Sequence, residues 1–212
     1  MFELDRERLI ESLIRENYIK SDVVKKAFQK VPREKFLPDF LKSRAYNDRP
    51  QEIGHGQTIS APHMVAIMCE ALDIHKGQKI LEIGAGSGYH AAIVSYLVGE
   101  KGHVYSIERI EVLGKVAKKN LTDAGFKNTT VEIGDGSEGL KKYQPYDRIY
   151  VTCAAPAVPQ PLIDQLKDGG KLLVPVGKLY CDLKLIEKKG EKIITKNLGG
   201  CVFVPLVGKH GF

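Results

Sequence analysis

The chain has 212 residues, a length that favours one domain with modest additions and allows a large hydrophobic core. Apolar residues make up 43% and charged residues 27%, and no apolar run approaches the roughly 20 residues of a membrane-spanning helix. The net charge of +6 comes with lysines scattered among glutamates, which favours a solvated surface over a nucleic-acid footprint. Charged residues in Met1–Arg6 argue against a secretory signal. We therefore expect a cytoplasmic protein without a membrane or nucleic-acid partner.

The N-terminal region predicts helices followed by a long connection. Apolar residues recur at helical spacing within residues 5–31, which indicates two short helices ended by Pro32. Residues 32–59 are rich in proline and glycine and predict an ordered but irregular segment. A connection of this length suggests a functional role. Ser60 is expected to cap a helix that runs through Leu72.

From Gln78 onward, apolar strand patterns alternate with helical patterns, as in βαβ units. This alternation predicts a doubly wound, mostly parallel sheet. Near the end of the chain, Lys189-Gly190 separates two short strand patterns, which indicates a hairpin and an antiparallel edge. The expected strands are Lys79–Ile83, His103–Ile107, Thr129–Ile133, Arg148–Thr152, Lys171–Val176, Leu183–Lys188, Lys192–Lys196 and Cys201–Leu206, and the expected helices are Tyr89–Val98, Val112–Ala124 and Gln160–Lys167.

We expect these elements to form one domain over residues 1–212. Residues 1–75 would supply the N-terminal helices and a substrate loop, residues 76–180 an α/β core, and residues 181–212 the C-terminal strands. The four cysteines are widely spaced and form no C-x-x-C pair, so we expect buried free thiols and no metal site. They are Cys69, Cys153, Cys181 and Cys201.

A glycine turn follows the first core strand. The segment Gly84-Ala85-Gly86-Ser87-Gly88 lies where an open α/β sheet binds ligands, at the carboxyl end of a strand. A dinucleotide-binding turn would have a third glycine where Tyr89 stands, so the pattern disfavours NAD.

Carboxylates after successive strands favour S-adenosylmethionine instead, because this cofactor offers an ammonium, a sulfonium and ribose hydroxyls rather than a pyrophosphate. Glu82 precedes the turn and is expected to face the methionine end. Glu108 ends the second core strand, where a carboxylate can accept both ribose hydroxyls. Asp135-Gly136 ends the third and is expected to receive the adenine amino group. Each residue is weak evidence alone, but the ordered set predicts a methyltransferase of the S-adenosylmethionine-dependent type.

The segment after the fourth core strand bears on the methyl acceptor. Thr152-Cys153-Ala154-Ala155-Pro156 contains neither the carboxamide and aromatic pair that orients an amine nor a cluster of metal-binding side chains. Nucleic-acid N-methylation and metal-dependent O-methylation therefore lose support. A carboxylate is already ionised at pH 7 and needs no general base, which makes it an attractive acceptor.

Six motifs between about Val31 and Leu206 are similar to those of the protein-L-isoaspartate (D-aspartate) O-methyltransferase family. The resemblance implies methylation of the α-carboxylate of L-isoaspartyl residues in damaged proteins and flexible peptides. Succinimide formation and hydrolysis then return part of the chain to aspartate. The motifs are Val31–Phe36, Gly54–Met64, Leu81–Tyr89, Ser106–Arg109, Gly134–Gly136 and Phe203–Leu206.

The resemblance also implies site roles. Ser60 carries the active-site role, and its hydroxyl and that of Thr58 would hold the substrate carboxylate in line with the methyl group. Val207 stands where some members have a hydroxyl residue, so no polar contact is expected from it. The implied cofactor site comprises Thr58, Ile59, Ser60, Glu82, Gly84, Ala85, Gly86, Ser87, Gly88, Glu108, Arg109, Asp135 and Gly136, and the implied substrate site Thr58, Ser60, Val204 and Leu206.

Three alternatives stay open at this point. Ser60 could act only as a helix cap, because serine before Ala-Pro is typical of a helix start. The chain could be an RNA methyltransferase, as its sequence pI near 9.0 allows. It could also be a binding module that keeps the cofactor fold without catalysis. We expect a monomer that uses S-adenosyl-L-methionine, forms S-adenosyl-L-homocysteine and holds no metal.

Overall fold

The structure is a computed structural model and describes residues 2–212. Two helices open the chain, α1 (Phe2–Arg15) and α2 (Asp22–Lys30), which confirms the helical prediction for this region. Ser21 caps α2, because its hydroxyl accepts a hydrogen bond from the Val24 N–H at 3.3 Å. The apolar faces of both helices are buried, and α2 packs against a helix of the α/β core.

The connection over residues 32–59 is more regular than predicted. Two short 3-10 turns are followed by an antiparallel hairpin of β1 (Gln51–Gly54) and β2 (Gln57–Ile59). The prediction of irregular structure was wrong here because Gly54-His55-Gly56 forms the hairpin turn, with φ of +91°, +55° and +69°.

The helix after this hairpin is α3 (Pro62–Leu72), and Ser60 is not its cap. Ala61 occupies the cap position and offers no side-chain hydrogen bond. Instead, a carboxylate oxygen of Asp48 accepts from the His63 N–H at 2.9 Å and satisfies one free group of the first turn. The capping prediction was therefore wrong by one residue, and the Ser60 hydroxyl is left out of the helix.

Seven strands of the described chain form the central sheet, in the order β5-β4-β3-β6-β7-β8-β9. The strands β3 to β7 are parallel, whereas β8 and β9 form an antiparallel edge, so the predicted fold class is confirmed. The chain runs outward from β3 and then returns on its other side, which makes the β3–β6 boundary the switch point where such folds bind ligands. The elements are β3 (Lys79–Ile83), α4 (Tyr89–Val98), β4 (His103–Glu108), α5 (Glu111–Asp123), β5 (Thr129–Ile133), β6 (Tyr146–Val151), α6 (Gln160–Asp164), β7 (Leu166–Gly177), β8 (Cys181–Lys189) and β9 (Lys192–Cys201).

The C-terminal segment departs from the prediction. The hairpin of β8 and β9 is present, but the strand expected over Cys201–Leu206 is not, because β9 ends at Cys201 and already covers the outer edge of β8. Pro205 forms only an isolated bridge with Ala154. The Ala154 N–H donates to the Val204 carbonyl at 2.8 Å, and the Leu206 N–H donates to the Ala154 carbonyl at 2.7 Å. The segment therefore passes beside the end of β6.

Apolar side chains fill both faces of the sheet. One buried cluster joins the N-terminal helices to α4 and α5, and a second lies on the opposite face with α6. Between residues 2 and 212, no helix combines the length and the apolar composition needed to cross a bilayer.

Candidate active site

An open cleft, whose volume of about 890 Å³ includes the solvent at its mouth, lies at the carboxyl ends of β3, β4 and β6. Parallel strands bring these ends to one edge of the sheet, and the reversal of strand order leaves a crevice between them. The hairpin of β1 and β2 and the segment before the C-terminus close its other side. Most predicted site residues line this cleft, namely Thr58, Ile59, Ser60, Glu82, Gly84, Ala85, Gly86, Ser87, Glu108, Arg109, Gly136, Val204 and Leu206.

The glycine turn supplies one wall of the cleft. Gly84 and Gly86 have φ of +94° and +53°, conformations that side chains rarely adopt. A Cβ on Gly84 would lie 2.3 Å from the Thr152 hydroxyl oxygen, so the backbone there is also closely packed. Gly88 lies outside the cleft lining and a Cβ on it would face Leu121 of α5, while its predicted cofactor contact stays a prediction. This glycine permits close helix packing.

Glu108 holds the turn in place. One carboxylate oxygen accepts from the Gly86 N–H at 3.0 Å, and the other accepts from the Ile110 N–H at 2.9 Å. A carboxylate offers about four lone-pair positions, so further acceptor capacity remains toward the cleft that Glu108 lines. The position fits the predicted contact with a diol.

Glu82 lines the floor of the cleft, beneath the turn. Its side chain is fully buried, with one oxygen bound by the Ser106 hydroxyl and the other by the Tyr150 hydroxyl. Burial raises the pKa of Glu82 to about 8, although these two hydrogen bonds oppose the shift. Both carboxylate oxygens accept hydrogen bonds from other side chains of the protein, so Glu82 holds together the floor of the cleft.

This buried acid predicts a pH dependence of stability. Folding raises the pKa of Glu82 from 4.5 to about 8, so the native state holds the proton more tightly and the free energy of unfolding falls as pH rises between these values. The loss is at most about 1.4 kcal/mol per pH unit. When urea unfolding is measured at pH 5 and at pH 8, the free energy of unfolding should fall less between the two pH values for Glu82→Gln than for the wild type. Equal declines would contradict the assignment.

Asp135 is not among the residues that line the cleft, and its predicted contact with adenine stays a prediction. One carboxylate oxygen accepts from the N–H and the hydroxyl of Ser137, at 2.8 and 2.7 Å. The other accepts from the Lys209 N–H at 2.8 Å. Asp135 therefore caps a short 3-10 turn and anchors the C-terminal segment, while the neighbouring Gly136 lines the cleft.

The side of the cleft formed by β2 carries the hydroxyls of Thr58 and Ser60. Thr58 is exposed and Ser60 is half-buried at the end of β2, whereas Ile59 between them is buried. The Ser60 hydroxyl forms no hydrogen bond with any other residue between 2 and 212. It is therefore free to bind a ligand.

Sequence reasoning missed several lining residues. Thr152 closes the cleft behind Gly84, and its hydroxyl lies 3.0 Å from the Ile83 carbonyl and 2.8 Å from the Gly84 carbonyl. Its position after β6 was the available signal, since strand ends at the switch point face the ligand. Other lining residues without a predicted role are Gln57, Val65, Ile83, Tyr89, His90, Ile107, Ile110, Cys153, Pro205 and Val207.

Comparisons with known proteins agree with this architecture. The family model of protein-L-isoaspartate(D-aspartate) O-methyltransferase matches residues 4–211. The protein-L-isoaspartate O-methyltransferase of Methanosarcina mazei is 52% identical over 208 residues, which cover 98% of this chain and 85% of that protein. One solved protein-L-isoaspartate O-methyltransferase superposes with a TM-score of 0.89 at 35% identity, covering 97% of this chain and 67% of the other.

A second solved structure adds a bound ligand. This Plasmodium falciparum protein, assigned to the same enzyme type, was solved in complex with S-adenosyl-L-homocysteine. It superposes with a TM-score of 0.86 at 27% identity, covering 95% of this chain and 98% of the other. The match over nearly the whole length shows that the chain belongs to the protein-L-isoaspartate(D-aspartate) O-methyltransferase family.

Proposed function

We propose that this protein transfers a methyl group from S-adenosylmethionine to the α-carboxylate of L-isoaspartyl residues in damaged proteins and peptides. Family membership supports the reaction, and one observation in the structure carries it. The cleft joins a glycine turn to two hydroxyl side chains, and its histidine, its cysteine and the carboxylate at its floor are not available as general bases. Such a site can position an acceptor that is already ionised.

The residues present fit the cofactor. The backbone of Gly84 and Gly86 leaves room where side chains would intrude, and Glu108 faces the cleft with spare acceptor capacity. We propose that this turn and Glu108 hold S-adenosylmethionine, with Arg109 and Gly136 at the edge of the site. When bound, this cofactor supplies an electrophilic methyl group and leaves as S-adenosyl-L-homocysteine.

The titratable groups around the cleft favour a carboxylate acceptor. Burial lowers the pKa of His90 to about 3, so its ring is too weak a base to hold a proton at pH 7. Burial also raises the pKa of the Cys153 thiol well above its usual range. Glu82 is engaged by Ser106 and Tyr150. None of these three groups is available to take a proton from an amine or a hydroxyl, whereas a carboxylate requires no such step.

We propose that Ser60 and Thr58 bind the acceptor carboxylate. Both can donate a hydrogen bond from a hydroxyl, and Ser60 has no partner within the described chain that would compete. Their contribution is orientation, because a bound acceptor reacts only when its oxygen lies in line with the methyl group. Val204 and Leu206 also line the cleft and are proposed to contact the substrate chain.

We further propose that the protein acts as a monomer on flexible polypeptide segments, in the cytoplasm and without a nucleic-acid or membrane partner. All four cysteines are buried free thiols, which suits a reducing compartment. The cleft is open to one side, so a segment must be flexible enough to enter it.

The chemical stability of the product tests the acceptor class. The protein would be incubated with methyl-labelled cofactor and either an isoaspartyl peptide or RNA. We expect label on the peptide that is released by mild base, as a methyl ester is. Base-stable label on RNA would replace this proposal with an RNA methyltransferase, and cofactor binding without any transfer would replace it with a binding module.

A further inference from the structure

Four exposed apolar side chains lie at the edge of the sheet that bears the cleft. We call them the apolar rim: Leu179, Tyr180, Val202 and Val207, which are 75%, 89%, 70% and 39% exposed. Scattered exposed apolar residues are ordinary, but a group beside a functional cleft marks a binding surface. The loop with Leu179 and Tyr180 follows β7, whose carboxyl end lies at the same edge as those of β3 and β6.

The strand register brings two members of the rim together. Cys181 and Cys201 are direct partners across β8 and β9, and both are buried. Tyr180 and Val202 each lie one residue beyond this pair, so they are neighbours at the end of the hairpin. Because side chains alternate between faces, residues next to buried partners point outward. The exposure of Tyr180 and Val202 fits this alternation.

The rim continues into the cleft along the backbone. After Val202, the chain passes beside Ala154 through the hydrogen bonds of Val204 and Leu206, and residues 204–207 line the cleft wall. Val207 lies at the cleft end of the rim. Its backbone N–H and C=O form no backbone hydrogen bond within residues 2–212, so they remain available to an extended chain.

We propose that the apolar rim binds apolar side chains that flank the isoaspartyl residue of the substrate. This inference rests on the proposed function. An acceptor carboxylate held by Ser60 is attached to a polypeptide, and that polypeptide must leave the cleft over its edge. Residues 204–207 lead from the cleft wall to Val202 and Tyr180. Val202 lies two residues before Val204 of the cleft wall, a span of about 7 Å for an extended chain, so the rim is within reach of residues close to the bound carboxylate.

The chemistry of the rim selects its partner. None of its four side chains carries a charge, so the rim can bury apolar side chains of a substrate without requiring one particular amino-acid sequence. Such a surface strengthens the binding of peptides with apolar flanks and still admits others. Covering Tyr180 and Val202 with an apolar partner is expected to change affinity by about tenfold.

The test compares two isoaspartyl peptides of equal length, one with leucine or valine and one with serine or glycine at the flanking positions. We expect Tyr180→Ser/Val202→Ser to raise KM for the apolar peptide about tenfold, with kcat and the other KM changed less than twofold. Ile194→Ser is the matched control, because Ile194 is 47% exposed near the other end of β9. It should change neither KM.

Three results would overturn the proposal: unchanged KM values, equal increases for both peptides, or an equal effect of Ile194→Ser. A dimer in sedimentation that the double variant abolishes would instead assign the rim to a second copy of the chain. Thermal unfolding confirms that each variant folds. If the wild type methylates neither isoaspartyl peptide, the proposed function fails; if it methylates both with equal KM, only the rim proposal fails.

Discussion

Replacing Gly84 with alanine is expected to lower the affinity for S-adenosylmethionine by at least about 100-fold, which corresponds to about 2.7 kcal/mol. Gly84 has φ of +94°, and an alanine Cβ would lie 2.3 Å from the Thr152 hydroxyl oxygen. That hydroxyl contacts the carbonyls of Ile83 and Gly84, so it cannot move without breaking both contacts. The turn must shift, and the shift displaces the backbone that we propose holds the cofactor.

The control for this variant is Gly190→Ala. Gly190 has φ of +59° in the turn between β8 and β9, and a Cβ there would meet nothing within 4 Å. Both variants carry the strain of a left-handed alanine, about 1–2 kcal/mol, but only Gly84→Ala has the steric clash. Isothermal titration should show wild-type cofactor affinity for Gly190→Ala. If Gly84→Ala also bound the cofactor with wild-type affinity, the proposed role of the turn would be contradicted.

Replacing Ser60 with alanine is expected to lower kcat/KM for an isoaspartyl peptide by about 100-fold, the cost of a misplaced acceptor. Cofactor affinity and the unfolding temperature should stay close to wild-type values. Ser60 is not the cap of α3, and its hydroxyl has no hydrogen-bond partner within the described chain to lose. An activity loss therefore reports on substrate positioning.

Ser21→Ala separates this effect from a capping effect. The Ser21 hydroxyl caps α2 and also donates to a carboxylate oxygen of Glu70 at 3.0 Å. Its removal should cost about 1 kcal/mol of unfolding free energy and leave kcat/KM unchanged. Steady-state kinetics and urea unfolding of both variants provide the comparison. The positioning role fails if Ser60→Ala keeps full activity or loses stability as Ser21→Ala does.

The sequence predicted the parallel core well because strong local signals coincide there. Apolar strands, glycine turns and helical patterns from Lys79 to Ile133 all favour the same fold, and the observed bounds differ from the predicted ones by at most one residue. The antiparallel edge followed from Lys189-Gly190. The division of the chain at residues 75 and 180 stays a prediction.

Errors occurred where distant residues decide the local structure. Ser60 looked like a cap, but Asp48 reaches the first turn of α3 from an earlier loop. The strand predicted at Cys201–Leu206 did not form, because β9 already pairs with the outer edge of β8. Such long-range competition leaves no periodic signal in the sequence.

The cleft itself was predicted from strand ends, yet its floor was not. The contact of Glu82 with the methionine end of the cofactor, through water or backbone, stays a prediction, but the sequence did not show that Ser106 and Tyr150 bind its carboxylate. Register between β3, β4 and β6 brings these three residues side by side, which sequence spacing does not reveal. The role of Thr152 could not be predicted from its residue type, because it depends on the space that Gly84 leaves open.

The most direct test uses two peptides of identical composition that differ only in whether one residue is linked as aspartate or isoaspartate. Both would be incubated with the protein and methyl-labelled S-adenosylmethionine, and base-labile label would be counted. We predict a methyl ester on the isoaspartyl peptide and none above background on the aspartyl peptide. Equal labelling of the two, or label that resists base, would contradict transfer to the isoaspartyl α-carboxylate.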